Sequence, residues 1–471
     1  MKIAFLSAEC APFAKVGGLA DVVAALPPAL QKIGVSPALF LRLHSAITPQ
    51  SLDAKKVAAF SVPFAGTKEI VTVYKTALPH SRLAVYFLSN QKYFDKNPIY
   101  DDDLKKYVFY SLAALEAMKK LQFKPDVIHL HDHQTGLVPR IVKTHYGADE
   151  FFAKTKTVFT IHNVDYQGRT NPRIINLLDH TIKTLPDIVN DLKDGDINFM
   201  VQGILSADAI TTVSPRYARE ILKPAFGFGI DNILRKRRRD LYGILNGIDT
   251  ASYNPKTDKQ IAHRYSLATL RRKEVNKFAL QKKVGLPQAS DVALVGFVAR
   301  LVYQKGIELI DENLLKLNCQ FVILGTGEAR YESYVKKLAQ AYPDKFAAEV
   351  MFDSALARQI YAASDIFLVP SRYEPCGLTQ MIAMRYGSVP LVRATGGLAD
   401  TVRERRKPNG FLFKDFSAQA LHKMLQRALH LYYKKPNKWR KLQGNGMKED
   451  FSWKKSAKEY VKIYEKVLKK P

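Results

Sequence analysis

Residues 2–21 read Lys-Ile-Ala-Phe-Leu-Ser-Ala-Glu-Cys-Ala-Pro-Phe-Ala-Lys-Val-Gly-Gly-Leu-Ala-Asp. Lys2–Ser7 has the length and apolar make-up of a buried strand. Glu9 ends the run and Lys15 follows, so a first strand is the better reading than a secretion leader. Gly17-Gly18 marks a loop, and a helical pattern follows from about Leu19 to Ile33. Strand, glycine-rich loop and helix together open a parallel α/β unit, whose strands are buried on both faces.

The same alternation runs along the chain. Val85–Ser89, Val127–His131, Thr157–Ile161 and Ala209–Val213 read as strands, while Tyr107–Lys120 and Ile197–Leu205 read as helices. After about residue 250 the pattern restarts. Val292–Val298, Gln320–Leu324, Ile366–Val369 and Val389–Val392 read as buried strands, separated by helical segments such as Arg330–Ala341 and Leu356–Ala363. A final amphipathic helix is expected over about 456–470. Tyr242–Asp249 holds the turn dipeptide Asn246-Gly247 and makes a plausible junction. With 471 residues, the chain exceeds a single core of about 250–300 residues. Two doubly wound domains would present their strand ends, and hence their ligand sites, to a cleft.

Composition narrows the function classes. No apolar run approaches the roughly 18–20 residues that span a bilayer, so no membrane partner is expected. Three cysteines, Cys10, Cys319 and Cys376, are too scattered for a disulfide framework and suit a reducing compartment, the cytoplasm. Net charge is +28, which attracts anions such as nucleotides and phosphosugars. Residues 431–471 carry 13 Lys and Arg against four Asp and Glu. Arg235-Lys236-Arg237-Arg238-Arg239 has no interleaved aromatics and no reading motif, so nucleic acid is not the expected partner. A solvated basic surface is the plainer reading.

Several segments could carry chemistry. Lys15-Val16-Gly17-Gly18 enters a helix, where backbone N–H groups and a lysine suit an anion. Neither a Walker loop nor Gly-x-Gly-x-x-Gly is present. Asp21 lies about one turn into that helix. Arg300 and Lys305 flank the loop after Val292–Val298 and could grip phosphate, or form an ordinary surface pair. Pro375 suits the first turn of a helix, which would aim the amides of Gly377, Leu378 and Thr379 at an anion. Glu374 beside it suits sugar hydroxyls. Strand alternation would place His129, His131 and His133 on one face, a set to weigh for metal. No second ligand cluster is evident, and neither a metal nor another cofactor is expected. Asp132 ends that strand and His162 ends the next, where it could donate to a hydroxyl or serve as a structural histidine. Cys376 is a weaker nucleophile candidate. The absence of Gly-x-Ser-x-Gly speaks against an α/β-hydrolase.

Taken in order, these segments resemble the bacterial glycogen synthase and plant starch synthase family. The matches are Ser7-Ala8-Glu9, Lys15–Asp21, His131-Asp132, Phe159-Thr160-Ile161-His162-Asn163, Thr212-Val213-Ser214-Pro215 with Tyr217-Ala218, and Leu245-Asn246-Gly247-Ile248-Asp249. They continue through Arg300-Leu301 with Gln304-Lys305-Gly306, Pro370–Gln380, Thr395–Val402 and Asp450-Phe451-Ser452-Trp453. The resemblance implies a glycosyltransferase B-type fold: two doubly wound Rossmann-like domains facing a deep cleft. Residues 1–245 would form the acceptor-side domain and 246–455 the nucleotide-sugar domain, with the helix 456–471 crossing back to the first.

The resemblance also implies a reaction: glucose passes from ADP-glucose to the nonreducing end of glycogen or another α-1,4-glucan, with retention and without metal. Arg300 and Lys305 would neutralise the diphosphate. Lys15, Gly17 and Gly18 would contact it from the other domain. Gly377, Leu378 and Thr379 would add amides, and Asp21 and Asn246 would lie near the nucleotide-sugar. Glu374 and His162 would bind the donor glucose. Asp132 and Glu9 would lie on the acceptor side. Phe352 stands where a tyrosine often stacks on adenine, which leaves UDP-glucose use open. Further departures are His133 for tryptophan, Val201 for lysine and Tyr253 for tryptophan. Alternatives are a same-fold retaining transferase with another nucleotide-sugar, or a catalytically silent glucan-binding protein.

Overall fold

Lys2–Leu6 forms β1 with its last four residues buried, and everything in the first half of the chain is laid out from it. The structure is a computed structural model describing residues 1–45, 47–95, 98–100, 103–178 and 180–470. The chain divides into two compact units, Met1–Asn246 with Trp453–Pro471, and Gly247–Ser452.

In the first unit α1 (Gly18–Gln31) and α2 (Lys105–Lys120) accompany β2 (Ser36–Arg42), β3 (Lys55–Phe64), β4 (Thr67–Ala77), β5 (Ala84–Ser89), β6 (Val127–His131) and β7 (Lys156–Ile161). A short pair follows, β8 (Arg169–Thr170) with β9 (Ile197–Asn198), and then β10 (Ala209–Thr212) and β11 (Leu241–Gly243). The main sheet has nine strands in the order β11-β10-β7-β6-β1-β2-β5-β4-β3. β11 through β5 are parallel, whereas β4 is antiparallel to both β5 and β3. The C-terminal helix Trp453–Leu468 sets Trp453, Tyr460, Ile463, Tyr464 and Val467 into the core built on Ile3, Phe5, Val22 and Leu26.

The second unit has six strands, all parallel. They are β12 (Ala293–Val298), β13 (Cys319–Leu324), β14 (Phe346–Glu349), β15 (Ile366–Val369), β16 (Val389–Arg393) and β17 (Phe411–Phe413). Their order is β14-β13-β12-β15-β16-β17. Phe297, Phe321, Ile323, Leu368 and Leu391 anchor its core.

Each sheet reverses its direction of growth once. The chain leaves β1 for β2 on one side and later returns to add β6 on the other. It leaves β12 for β13 and returns to add β15. Ligands of open α/β sheets bind at such reversals, beyond the carboxyl ends of the strands. The loops after β1 and β6, and after β12 and β15, therefore mark the site within each unit.

Four sequence expectations need correction. The β3–β4 hairpin carries no buried-strand signal, because Lys55–Phe64 opens on two lysines, contains a proline and is buried only at Phe60, Val62 and Phe64. The helix expected over 197–205 begins at Phe199, since Ile197–Asn198 pairs with β8 and the Asn198 side chain accepts from the Val201 amide. Ile307–Leu315, which follows Gly306 and reads from the sequence as one helix, is broken into a 3-10 turn, Ile307–Leu309, and a short helix, Glu312–Leu315, capped by Asp311. The helix after β15 starts at Thr379, not at Pro375. Gly377 sits at φ +70°, a left-handed backbone that a helix cannot contain.

Candidate active site

The first unit builds its rim from the loops after β1, β6 and β7. Glu9 is buried and faces the glycine loop. Its Oε2 accepts from the Val16 amide at 2.6 Å and from the Gly17 amide at 2.9 Å, and Tyr100 Oη donates to Oε1. An internal carboxylate thus holds the amides expected to cradle an anion. Lys15 pairs with Asp21 at 2.7 Å, both more than a third exposed, an arrangement that contributes little to stability. A Cβ added to Gly17 would meet nothing within 4 Å, so the loop has room above it.

Asp132 follows β6 at φ 56°, ψ −178°, a backbone region that costs a non-glycine residue of the order of 1–3 kcal/mol. Several bonds hold it there: its amide donates to Thr160 O at 2.9 Å, its carbonyl accepts from the Thr135 amide at 3.1 Å, and its Oδ1 accepts from the His162 amide at 2.7 Å. Burial pushes its carboxyl up to about 7. His162 directly follows β7 and is half-buried; burial holds its imidazole down at about 3. Its Nε2 lies 2.9 Å from His131 Nδ1.

The three-histidine face does not form. β6 ends at His131, and His133 lies in the following 3-10 turn with Nδ1 2.9 Å from Tyr166 O. His129 gives both ring nitrogens to protein partners, Thr160 Oγ1 at 2.6 Å and Tyr464 Oη at 2.7 Å. Among the described residues no group of three or more His, Cys, Asp or Glu could hold a metal. Asn246, where the chain first leaves this unit, is buried, and its Oδ1 has no hydrogen-bond partner among the described residues.

The second unit builds its rim from the loops after β12 and β15. Lys305 Nζ lies 2.7 Å from Glu374 Oε2, and the Ser371 hydroxyl donates to the same oxygen at 2.8 Å. Both side chains are largely buried, at 17% and 8% exposure, so this is a structural pair as well as a charged one. Gln304 Nε2 donates to Tyr373 O at 3.1 Å, and the Arg372 amide donates to Gln304 O at 2.9 Å, tying the two loops together. Gly306, at φ +67°, lies so close that a Cβ would meet Pro370 O at 2.4 Å. Arg300 is exposed at the end of β12. Gly377, Leu378 and Thr379 are half-buried. Only Thr379 belongs to the helix, with Leu378 as its N-cap, so the three amides do not form one helix terminus. Phe352 projects from the segment after β14 and is 80% exposed.

The family model for the starch synthase catalytic domain matches residues 2–236, and that for glycosyl transferases group 1 matches residues 280–443. The glycogen synthase of Pseudothermotoga lettingae is 45% identical over 488 residues, covering 100% of this chain and 99% of the relative. The chain belongs to the glycogen synthase family. It is a glycosyltransferase of that family. The glycogen synthase of Thermosipho africanus is 46% identical, with 100% of both chains covered. The catalytic domain of starch synthase IV from Arabidopsis thaliana, solved bound to ADP and acarbose, superposes with a TM-score of 0.92. It is 36% identical, with 99% of each chain covered. The fold is the glycosyltransferase B-type expected from the motifs.

Sequence reading missed Tyr100, Ser371 and His131 as supports of the site. Ser371 lies inside a quoted motif and could have been found there. Tyr100 is 91 positions from Glu9, and nothing local signals the contact. Among the described residues no helix is long and apolar enough to cross a membrane.

Proposed function

We propose that this glycogen synthase family chain transfers glucose from ADP-glucose to the nonreducing end of glycogen or another α-1,4-glucan, with retention. What carries the reading is the close likeness, over the whole chain, to a starch synthase catalytic domain solved with ADP and acarbose. Arg300 and Lys305 are assigned the diphosphate. Lys15, Gly17 and Gly18 are assigned the anionic part of the donor, with Asp21, Asn246 and the Gly377, Leu378 and Thr379 backbone as further donor contacts. Phe352 is assigned the base, Glu374 and His162 the donor glucose, and Asp132 and Glu9 the acceptor side. Three buried cysteines, none of them in a disulfide, support a reducing compartment, the cytoplasm.

The carboxylates argue for a step assisted by the leaving group. Glu374 Oε2 is engaged by Lys305 and Ser371, and Asp132 Oδ1 by the His162 amide. Each carboxylate thus has one oxygen committed to holding its own loop. In the proposed step the bond from the sugar's anomeric carbon to the donor phosphate oxygen breaks. The bond to the acceptor hydroxyl oxygen forms on the same face, and the hydroxyl proton passes to the departing phosphate oxygen. Positive side chains that bind the developing phosphate charge more tightly than the ground state accelerate this step.

The test is ADP release from ADP-glucose with and without glycogen, beside UDP-glucose, with Lys305→Ala checked for folding. Glycogen-dependent release lost in the variant supports the reading. Comparable turnover of UDP-glucose would favour the same-fold alternative. No release from either donor by folded protein would favour a silent glucan binder. A trapped glycosyl-enzyme on Asp132 or Glu374 would overturn the mechanism.

A further inference from the structure

The pair formed by His131 Nδ1 and His162 Nε2 holds one proton between two nitrogens 2.9 Å apart. Which residue supplies it decides what His162 can do. His131 is fully buried, and its other nitrogen, Nε2, has no hydrogen-bond partner among the described residues. The rings packed against it offer none. His129, whose ring centroid lies 4.4 Å away, has committed both nitrogens to Thr160 and Tyr464. Phe5, stacked at 5.8 Å with an interplanar angle of 17°, covers another side.

Two proton arrangements satisfy the short contact. In one, His131 carries its proton on Nδ1 and donates to His162 Nε2, so neutral His162 must carry its own proton on Nδ1. The buried orphan is then a lone pair. In the other, His162 donates from Nε2, and His131 buries an N–H with no acceptor. Orphaned buried N–H groups are rarer and costlier than unmatched acceptor lone pairs.

We propose that His131 is a positioning residue that fixes His162 as the Nδ1–H tautomer, making His162 a hydrogen-bond donor to a sugar oxygen. His162 is half-buried, and Nδ1 is its ring nitrogen without a partner among the described residues. Its only lone pair points at His131, so it has no site to accept the acceptor hydroxyl's proton. The proton must go elsewhere, in agreement with transfer to the leaving phosphate. The sugar partner rests on the proposed function; the tautomer does not.

Selective 15N-histidine NMR of the full chain reads the tautomer directly, with the His162 signals assigned by their loss in His162→Ala. The expected result is a protonated Nδ1 and an unprotonated Nε2. His131→Asn places an amide N–H where Nδ1–H stood and should keep that pattern. His131→Phe removes the donor, should let His162 shift toward Nε2–H, and should lower kcat/KM about tenfold, the worth of one hydrogen bond. A wild-type His162 protonated on Nε2, or a pattern unchanged in a folded His131→Phe, overturns the proposal. An Nδ1–H pattern in a chain that transfers no glucose supports the tautomer and overturns the transferase reading instead.

Discussion

Replacing Asp132 by asparagine should stabilise the first unit at alkaline pH. Asp132 has an ordinary value of 3.8 and is raised to about 7 by burial. The folded state therefore binds more protons than the unfolded state between those values. This group's contribution is at its most favourable below pH 4, is lost as pH rises, and levels off above about 7. Three units at about 1.4 kcal/mol each give about 4 kcal/mol over the whole window. Between pH 5 and pH 8 the change is about 2.5 kcal/mol. Asparagine lacks the titration and still accepts from the His162 amide through its own oxygen. Its NH2 would face the Asn163 amide, which also bonds the carboxylate, at a cost of about 1–3 kcal/mol. Urea unfolding in a Trp439→Phe background isolates the first unit, because the chain's two tryptophans divide between the units. The expected result is that Asp132→Asn gains about 2.5 kcal/mol on the wild type as pH goes from 5 to 8, while glycogen-dependent ADP release falls. A stability difference independent of pH would refute the argument that burial governs this carboxyl.

Four other outcomes follow from the geometry. Lys305→Met leaves Glu374 buried with only Ser371 and should cost about 3 kcal/mol in urea melts of the second unit. Lys305→Met combined with Glu374→Gln should recover most of that stability without recovering activity. Gly397→Ala should destabilise by about 3 kcal/mol or more, because its Cβ would lie 2.1 Å from Cys376 O. Gly17→Ala should stay within about 0.5 kcal/mol of wild type, so that any loss of donor turnover is read as a binding effect. Lys273 is buried among the carbonyls of Tyr361 and Ala362 and is lowered to about 7 from an ordinary 10.5. Its unfolded form binds more protons in that window. Wild-type stability should therefore rise with pH from about 7 toward 10.5, and Lys273→Met should lack the rise in a Trp453→Phe background.

Gly-Gly-Leu-Ala-Asp occurs twice, at residues 17–21 and 396–400, and illustrates how far local reading goes. Both copies open a helix, at Gly18 and at Gly396. At Gly396 the backbone has φ +43°, and a Cβ would lie 1.8 Å from Glu374 O. At Gly17 there is open space. The same letters answer tight packing in one unit and an open loop in the other. Arg235 and Arg237 of the basic run make a similar point. Arg235 pairs with Asp231, and Arg237 binds the carbonyls of Ile204, Leu205 and Ala207, so a third charge-run reading, local capping, was needed beside solvation and anion binding.

The amino-acid sequence by itself determined the strands, the loops that follow them and the family. Buried parallel strands are continuous apolar runs, and loop motifs are contiguous residues, so both are local signals. The half-exposed β3–β4 hairpin lacked such a signal. Only tertiary structure decided that Glu9 holds the glycine-loop amides, that Lys305 pairs with Glu374, and that His131 meets His162. The first closes a loop on itself, seven and eight residues apart, through a backbone path that no periodicity encodes. The other two join residues 69 and 31 positions apart that the order of strands in each sheet brings together, and no window of the chain holds both partners.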